Sequence, residues 1–182
     1  MPVQIGAKLD SGFDDPLGML HDCHRRIERF LAVLCDVADR AHTRSLTDEE
    51  ASAIRAALAY FHEGGRRHTA DEEESLFPRM RTLAPSGTLD PIDRLEDDHR
   101  EANSLHDDVD RLYTDWISAG TLDTAGQQAL LAATRRLRAL YAAHIHAEEA
   151  TVFPQAARLL DPAAIAAIGA EFHARRSSGS GS

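Results

Sequence analysis

The sequence predicts an all-α protein: an antiparallel up-down-up-down four-helix bundle with a short C-terminal fifth helix. Three observations carry this expectation. Apolar residues recur in alternating three- and four-residue steps along four long segments. Capping boxes, Asp-Pro pairs and a Gly-containing turn separate these segments by short connections, which join antiparallel neighbours. At 182 residues the chain is long enough for one well-buried core and short for two domains. The expected boundaries are an N-terminal extension over 1–14, the bundle over 15–175 and a flexible tail over 176–182.

Asp14-Asp15-Pro16 opens the first helix, which stays helix-compatible to about Thr43. Its inner stripe reads Leu17, Leu20, His24, Ile27, Leu31, Leu34. Thr47-Asp48-Glu49-Glu50 is a capping box that opens the second helix, running to about Arg81. There the stripe reads Ile54, Leu58, Phe61, Gly65, His68, Glu72, Leu76. Gly64-Gly65 reads first as a break between two helical segments, and alternatively as a kink or as space left for a ligand. Ala84-Pro85-Ser86-Gly87 is a loop. Asp90 caps the third helix with Pro91 at its first position, and the stripe is Ile92, Leu95, His99, Ala102, His106, Val109.

Ala119-Gly120-Thr121 ends that helix near residue 118. Asp123 or Thr124 caps the fourth, which reaches about Leu160 with Leu130, Thr134, Leu137, Tyr141, His144, Glu148 and Val152 inward. Asp161-Pro162 opens the short fifth helix to about Arg175. Its Ile165, Ile168 and Phe172 could cap this bundle or meet a second one.

A formal charge of −10 argues against nucleic acid, which demands a basic face. No apolar run approaches the roughly 20 residues needed to span a membrane. The first 15 residues lack the basic start and apolar run of a secretory signal. Cys23 and Cys35 lie 12 residues apart on one helix, roughly 18 Å, too far to pair. A reduced, cytoplasmic location is the expectation.

The chemistry lies in a pattern written twice. Leu20-x-x-x-His24-Arg25 precedes His68-x-x-x-Glu72-Glu73-x-x-Leu76-Phe77-Pro78. Leu95-x-x-x-His99-Arg100 precedes His144-x-x-x-Glu148-Glu149-x-x-Val152-Phe153-Pro154. His24 and His68 are 44 residues apart, His99 and His144 45. Every member falls on a core stripe, and all six share one depth of the bundle, roughly 14–18 Å from one end. Carboxylates on a buried face need a cation between them. His-x-x-x-Glu puts both groups on one helix face, so each pair can meet the same ions. Four imidazoles and two bridging carboxylates fill about eight of the roughly ten to twelve positions of two ions, leaving room for a small ligand. Imidazole and carboxylate also suit zinc or manganese.

These residues resemble the hemerythrin-like (HHE cation-binding) family over about residues 15–160. The resemblance implies a four-helix bundle with His24, His68, Glu72, His99, His144 and Glu148 as ligands of two iron ions. It further implies an oxo- or hydroxo-bridged non-haem di-iron centre that binds O2 or reactive oxygen or nitrogen species. Such proteins sense, store or detoxify; alternatives are peroxide disproportionation, nitric-oxide reduction, or iron–sulfur repair and iron handling. The partner so implied is a small diatomic or peroxide, and no protein partner is named. Oxygen carriers of the family have a second histidine where Asn103 stands and an aspartate where Glu148 stands, which turns the reading away from oxygen transport. A ferritin-like site would need two Glu-x-x-His motifs. Glu96-x-x-His99 supplies one, but Gly65 and Tyr141 occupy the matching positions before His68 and His144.

Four further residues carry expectations. Glu28, one turn after His24, is an extra ligand, an acceptor behind a ligand, or a salt-bridge partner. His106 suits a role behind the ligands or along a channel. Tyr141 could donate a hydrogen bond, proton or electron to a bound peroxide, or simply pack. Cys23 reads as structural burial before redox function. His21, His42, His62, His146 and His173 fall off the inner stripes and read as surface or boundary residues.

Overall fold

The computed structural model describes residues 10–41, 44–83 and 90–178, and no strand occurs among them. Five helical rods form the fold. α1 is Pro16–Ala41, α3 is Asp90–Ala119 and α5 is Pro162–Ser178. α2 runs unbroken over 48–83, with π-turns at Phe61–Gly65 and Glu72–Leu76. α4 runs over 124–159 with a π-turn at Glu148–Val152. The expected break at Gly64-Gly65 is therefore absent. Both glycines keep helical geometry, and the first π-turn absorbs one extra residue without interrupting the rod.

Local chemistry sets the helix starts. Thr47 Oγ1 accepts from the Glu50 N–H at 3.2 Å, and the Thr47 N–H donates to Glu50 Oε2 at 2.9 Å, a closed capping box. Asp15, Asp123 and Asp161 each accept from a backbone N–H three residues on, with Pro16 and Pro162 pre-set at the first helical position. Gly120 ends α3 at φ 79°, the left-handed conformation that glycine adopts without penalty. The Ala84–Gly87 loop, the Asp90 side chain and His42 lie outside the described residues.

Cross-helix pairs fix the topology as antiparallel. Between α1 and α2, His24 meets His68 while Phe30 stacks on Tyr60. Between α2 and α3, Glu73 meets His99 and Arg81 meets Asp93. His106–Tyr141 and Asp98–His144 join α3 to α4, and His24–Glu149 and Asp39–Arg135 close the ring from α1 to α4.

The core comes in two pieces. One holds Ile27, Leu31, Leu34, Ile54, Phe61, Tyr113, Trp116, Leu130 and Leu137. The other holds Leu20, Leu76, Phe77, Met80, Leu95, Val152, Phe153, Ile168 and Phe172. Each stripe passes from one piece to the other through a histidine or glutamate. The polar layer is thus sealed between two apolar plugs.

α5 caps this bundle through Ile168 and Phe172, which join the second piece. Both described chain ends are tied to the bundle. The helix continues to Ser178, so 176–178 are not tail. Arg175 and Arg176 converge on Asp71, a fully buried carboxylate of α2, at 2.8 and 2.7 Å. Residues 10–14, within the expected N-terminal extension, pack against the bundle. The Ser11 N–H donates to Asp22, Phe13 packs edge-on against His173 at 4.8 Å, and Asp10 pairs with Arg26. The Phe13 backbone crosses Gly169 so closely that a Cβ there would lie 1.9 Å from its carbonyl oxygen. Among the described residues no helix is long and apolar enough to cross a membrane.

Candidate metal centre

The six residues of the doubled motif meet in one buried layer. His24 and His68 come from α1 and α2, His99 and His144 from α3 and α4. Glu72 and Glu148, at 0% exposure, open the two matching π-turns. Glu72 spans both halves: Oε1 lies 3.3 Å from His68 Nε2 and 3.9 Å from His24 Nε2, while Oε2 lies 3.3 Å from His99 Nε2. Glu148 Oε2 does the same, 3.1 Å from His24 Nε2 and 3.3 Å from His144 Nε2. Two overlapping groups, His24–His68–Glu72–Glu148 and Glu72–His99–His144, each converge closely enough to hold a cation.

The outer edges of three imidazoles are held. His24 Nδ1 lies 2.8 Å from Glu149 Oε1, and His99 Nδ1 lies 2.8 Å from Glu73 Oε1. His144 Nδ1 lies 3.3 Å from Asp98 Oδ2. A carboxylate at Nδ1 fixes the proton there and turns a bare Nε2 lone pair inward. Phe153 stacks on His24 and Phe77 on His99, at ring separations of 5.3 and 6.3 Å. Each Glu-Glu-x-x-[LV]-Phe-Pro run therefore supplies one inward glutamate, one acceptor for a histidine on another helix, and a ring against that same histidine.

The inner edges are bare. Nε2 of His24, His99 and His144 and all four carboxylate oxygens of Glu72 and Glu148 are buried without a hydrogen-bond partner among the described residues. Buried polar atoms are rarely left so, because each unmade bond costs about 1–3 kcal/mol and a buried ion more. Their clustering on one point is the signature of a cation between them.

Electrostatics agree. Burial, followed by the Glu148 charge, drives the Glu72 carboxyl well above the usual range. Burial also resists ionisation of Glu148, but His24 and His144 outweigh it and hold that carboxyl below its usual value. Burial pushes His68 well below the ordinary histidine value, and the three other imidazoles add to this. For His24, Glu148 and Glu149 overcome burial and raise it. Without a cation the layer must hold one glutamate as the acid and one as a carboxylate, since two charges this close cannot both ionise. A cation removes that conflict by displacing the protons.

The two halves are not identical. Asp98, which holds His144, immediately precedes His99; the residue preceding His24 is Cys23. His68 Nδ1 accordingly has no partner among the described residues.

The remaining expectations divide. Glu28 is exposed and takes no part in the layer; the inner stripe of α1 passes from His24 to Ile27 instead. His106 Nε2 lies 3.0 Å from the Tyr141 hydroxyl, so these two form a pair on the core side of the layer. Cys23 and Cys35 are free and buried, and burial raises both thiols. His62, His146 and His173 are exposed, whereas half-buried His21 meets Glu149 at 2.9 Å and approaches the layer from outside. Glu73, Glu149 and Asp98 were missed as functional groups. The repeated Glu-Glu doublet was the available signal for the first two; Asp98 reaches across helices, and nothing local marks it.

Comparison with known proteins agrees with this geometry. An uncharacterized protein of Haemophilus influenzae is 31% identical over 87 residues, which cover 48% of this chain and 50% of that protein. The chain thus matches about half the length of that relative. A family model described as the hemerythrin HHE cation binding domain matches residues 15–156, and this span contains the whole layer. The chain belongs to the hemerythrin HHE cation-binding family.

Proposed function

We propose that this protein is a non-haem di-iron protein that binds O2 or reactive oxygen or nitrogen species, for sensing, storage or detoxification. His24, His68, Glu72, His99, His144 and Glu148 would hold the two ions. The observation that carries this is the set of bare inward Nε2 and carboxylate atoms, three of whose histidines are fixed from behind by carboxylates. Four imidazoles and two carboxylates suit iron among other divalent metals, and the choice of iron rests on the family.

When bound, the ions supply Lewis acidity and electrons to a diatomic or peroxide ligand. The chain supplies everything else. Glu149, Glu73 and Asp98 keep the Nδ1 protons in place and raise imidazole basicity. The two apolar plugs exclude bulk water from the layer. Tyr141 and His106 provide the polar groups nearest the layer on the side of the larger plug.

The test is metal stoichiometry after anaerobic reconstitution with ferrous iron, read by elemental analysis. Two irons per chain are expected, with retention falling below one in the His68→Ala, Glu72→Ala double variant. Less than one metal per wild-type chain overturns the proposal, as does undiminished metal in the double variant.

A further inference from the structure

Beside the metal layer, between α2 and α3, lies a cavity of about 390 Å³. Its walls come from residues next to the proposed ligands on three helices. Gly65 stands one turn before His68, Asn103 one turn after His99, and Tyr141 one turn before His144. Glu73, whose carboxylate holds His99, lines it as well. Building on the di-iron reading, we infer that this cavity is the port through which small neutral ligands reach the metal layer, and that the His106–Tyr141 pair is its receiving end.

Three observations support this assignment. The first is space at the throat. A Cβ added at Gly65 would meet only Phe61, at 3.6 Å, which is ordinary contact, so the missing side chain leaves room rather than relieving a clash. The π-turn carrying Gly65 sits one turn ahead of His68, and such turns collect at functional sites. The second is polarity at the inner wall. Tyr141 is buried, and its hydroxyl lies 3.0 Å from His106 Nε2. In the tautomer that carries its proton on Nε2, His106 donates to the Tyr141 oxygen and leaves the hydroxyl hydrogen free for a ligand arriving in the cavity. Phe61 covers the His106 ring at 4.6 Å and holds the pair in position.

The third is charge at the mouth. Glu73, Glu74, Asp107 and Asp110 line the cavity with Arg66 and His62; Arg175 pairs with Glu74 at 3.1 Å and His62 meets Asp110 at 3.0 Å. Carboxylates outnumber cations there, so an anion meets repulsion while a neutral diatomic or peroxide does not. The ligand class that fits is small, uncharged and able to accept a hydrogen bond.

The test uses the iron-loaded full chain, with nitric oxide as the neutral probe and azide as the anionic one. Association and dissociation are followed by rapid-mixing absorption. Gly65→Leu extends a side chain into the throat while leaving every proposed ligand in place. It should slow nitric oxide association and dissociation together, about tenfold, with affinity unchanged, because a port alters rates and not the bound state. Asn103→Leu narrows the opposite wall and should act in the same direction. Tyr141→Phe should leave association unchanged and weaken affinity roughly fivefold to tenfold, the worth of one neutral hydrogen bond. Azide association should quicken as salt rises, while that of nitric oxide should not, because salt screens the mouth.

Unchanged nitric oxide rates in both Gly65→Leu and Asn103→Leu, at full iron content, overturn the port and leave the di-iron reading standing. Unchanged affinity in Tyr141→Phe overturns the role of the pair. Failure of the wild-type chain to take up iron overturns the di-iron reading and the port with it.

Discussion

Replacing Glu72 by methionine should make the metal-free protein more stable and the metal-loaded protein less so. Glu72 is fully buried, and neither carboxylate oxygen has a hydrogen-bond partner among the described residues. Its neighbours within the layer are three imidazoles and a second carboxylate. A buried polar group left without a partner costs about 1–3 kcal/mol, and an apolar residue of similar size removes that cost where no cation compensates it. For a chain of this length each kcal/mol moves Tm by about 2–4 °C, so the metal-free variant should melt several degrees above the metal-free wild type. The loaded wild type behaves oppositely. Each ion present at a hundredfold excess over its Kd stabilises by about 2.7 kcal/mol, and two ions should raise Tm by roughly 10–20 °C. Glu72 touches both halves, so Glu72→Met should lose most of that rise. The assay is thermal unfolding by circular dichroism, with and without anaerobic ferrous iron, on chelator-stripped protein. A Glu72→Met chain that is less stable than wild type when metal-free would refute the reasoning, because the glutamate would then stabilise the fold by itself. So would a wild-type Tm that ignores metal.

Three other perturbations have defined outcomes. Burial, reinforced by His62 and opposed by Asp107 and Asp110, lowers His106 to about 4. The unfolded chain therefore takes up this proton first as pH falls, and stability should decline from about pH 6.5 toward pH 4; His106→Asn should flatten that part of a urea-unfolding pH profile. Asp71→Ala strips the buried partner from Arg175 and Arg176, and should cost near the lower end of about 3–5 kcal/mol because both arginines keep some exposure. Hydrogen exchange should then quicken across α5 and leave α3 unchanged; uniform protection would contradict the docking role. Gly169→Ala places a methyl group where the Phe13 carbonyl passes, and should cost about 1–3 kcal/mol while freeing residues 10–14 to exchange. Unaltered protection at Phe13 would show that this close approach does not hold the segment.

The bundle was legible because its signals are local. Thr47 and Glu50 close their box within one turn, and the stripes from Leu20 to Leu34 and from Ile92 to Val109 follow from helix geometry alone. The six convergent residues were legible for the same reason, since each interrupts an otherwise apolar stripe. Gly64-Gly65 misled because glycine signals a break only when the turn cannot hold its hydrogen bonds otherwise. Here a π-turn keeps the rod continuous. Of the roles that Glu28 suggests, the two at the layer fall away, because the inner stripe runs from His24 to Ile27 and leaves Glu28 exposed. Arg176 read as tail because its partner, Asp71, lies 105 residues away in sequence.

What the sequence determined by itself was the helix pattern, the capping and the identity of the groups forced onto a buried face. All of these follow from periods of three to four residues and from the cost of burying charge. What only the tertiary structure decided was which atoms meet. Glu73 and Glu149 turn out to hold histidines of other helices, Asp98 holds His144, and His68 has no counterpart to it among the described residues. The cavity beside Gly65 likewise exists only where α2 and α3 face each other. These relations join residues tens of positions apart, and no local period encodes them. They arise when two halves of similar sequence pack against each other, and the small differences between those halves become differences in how each histidine is held.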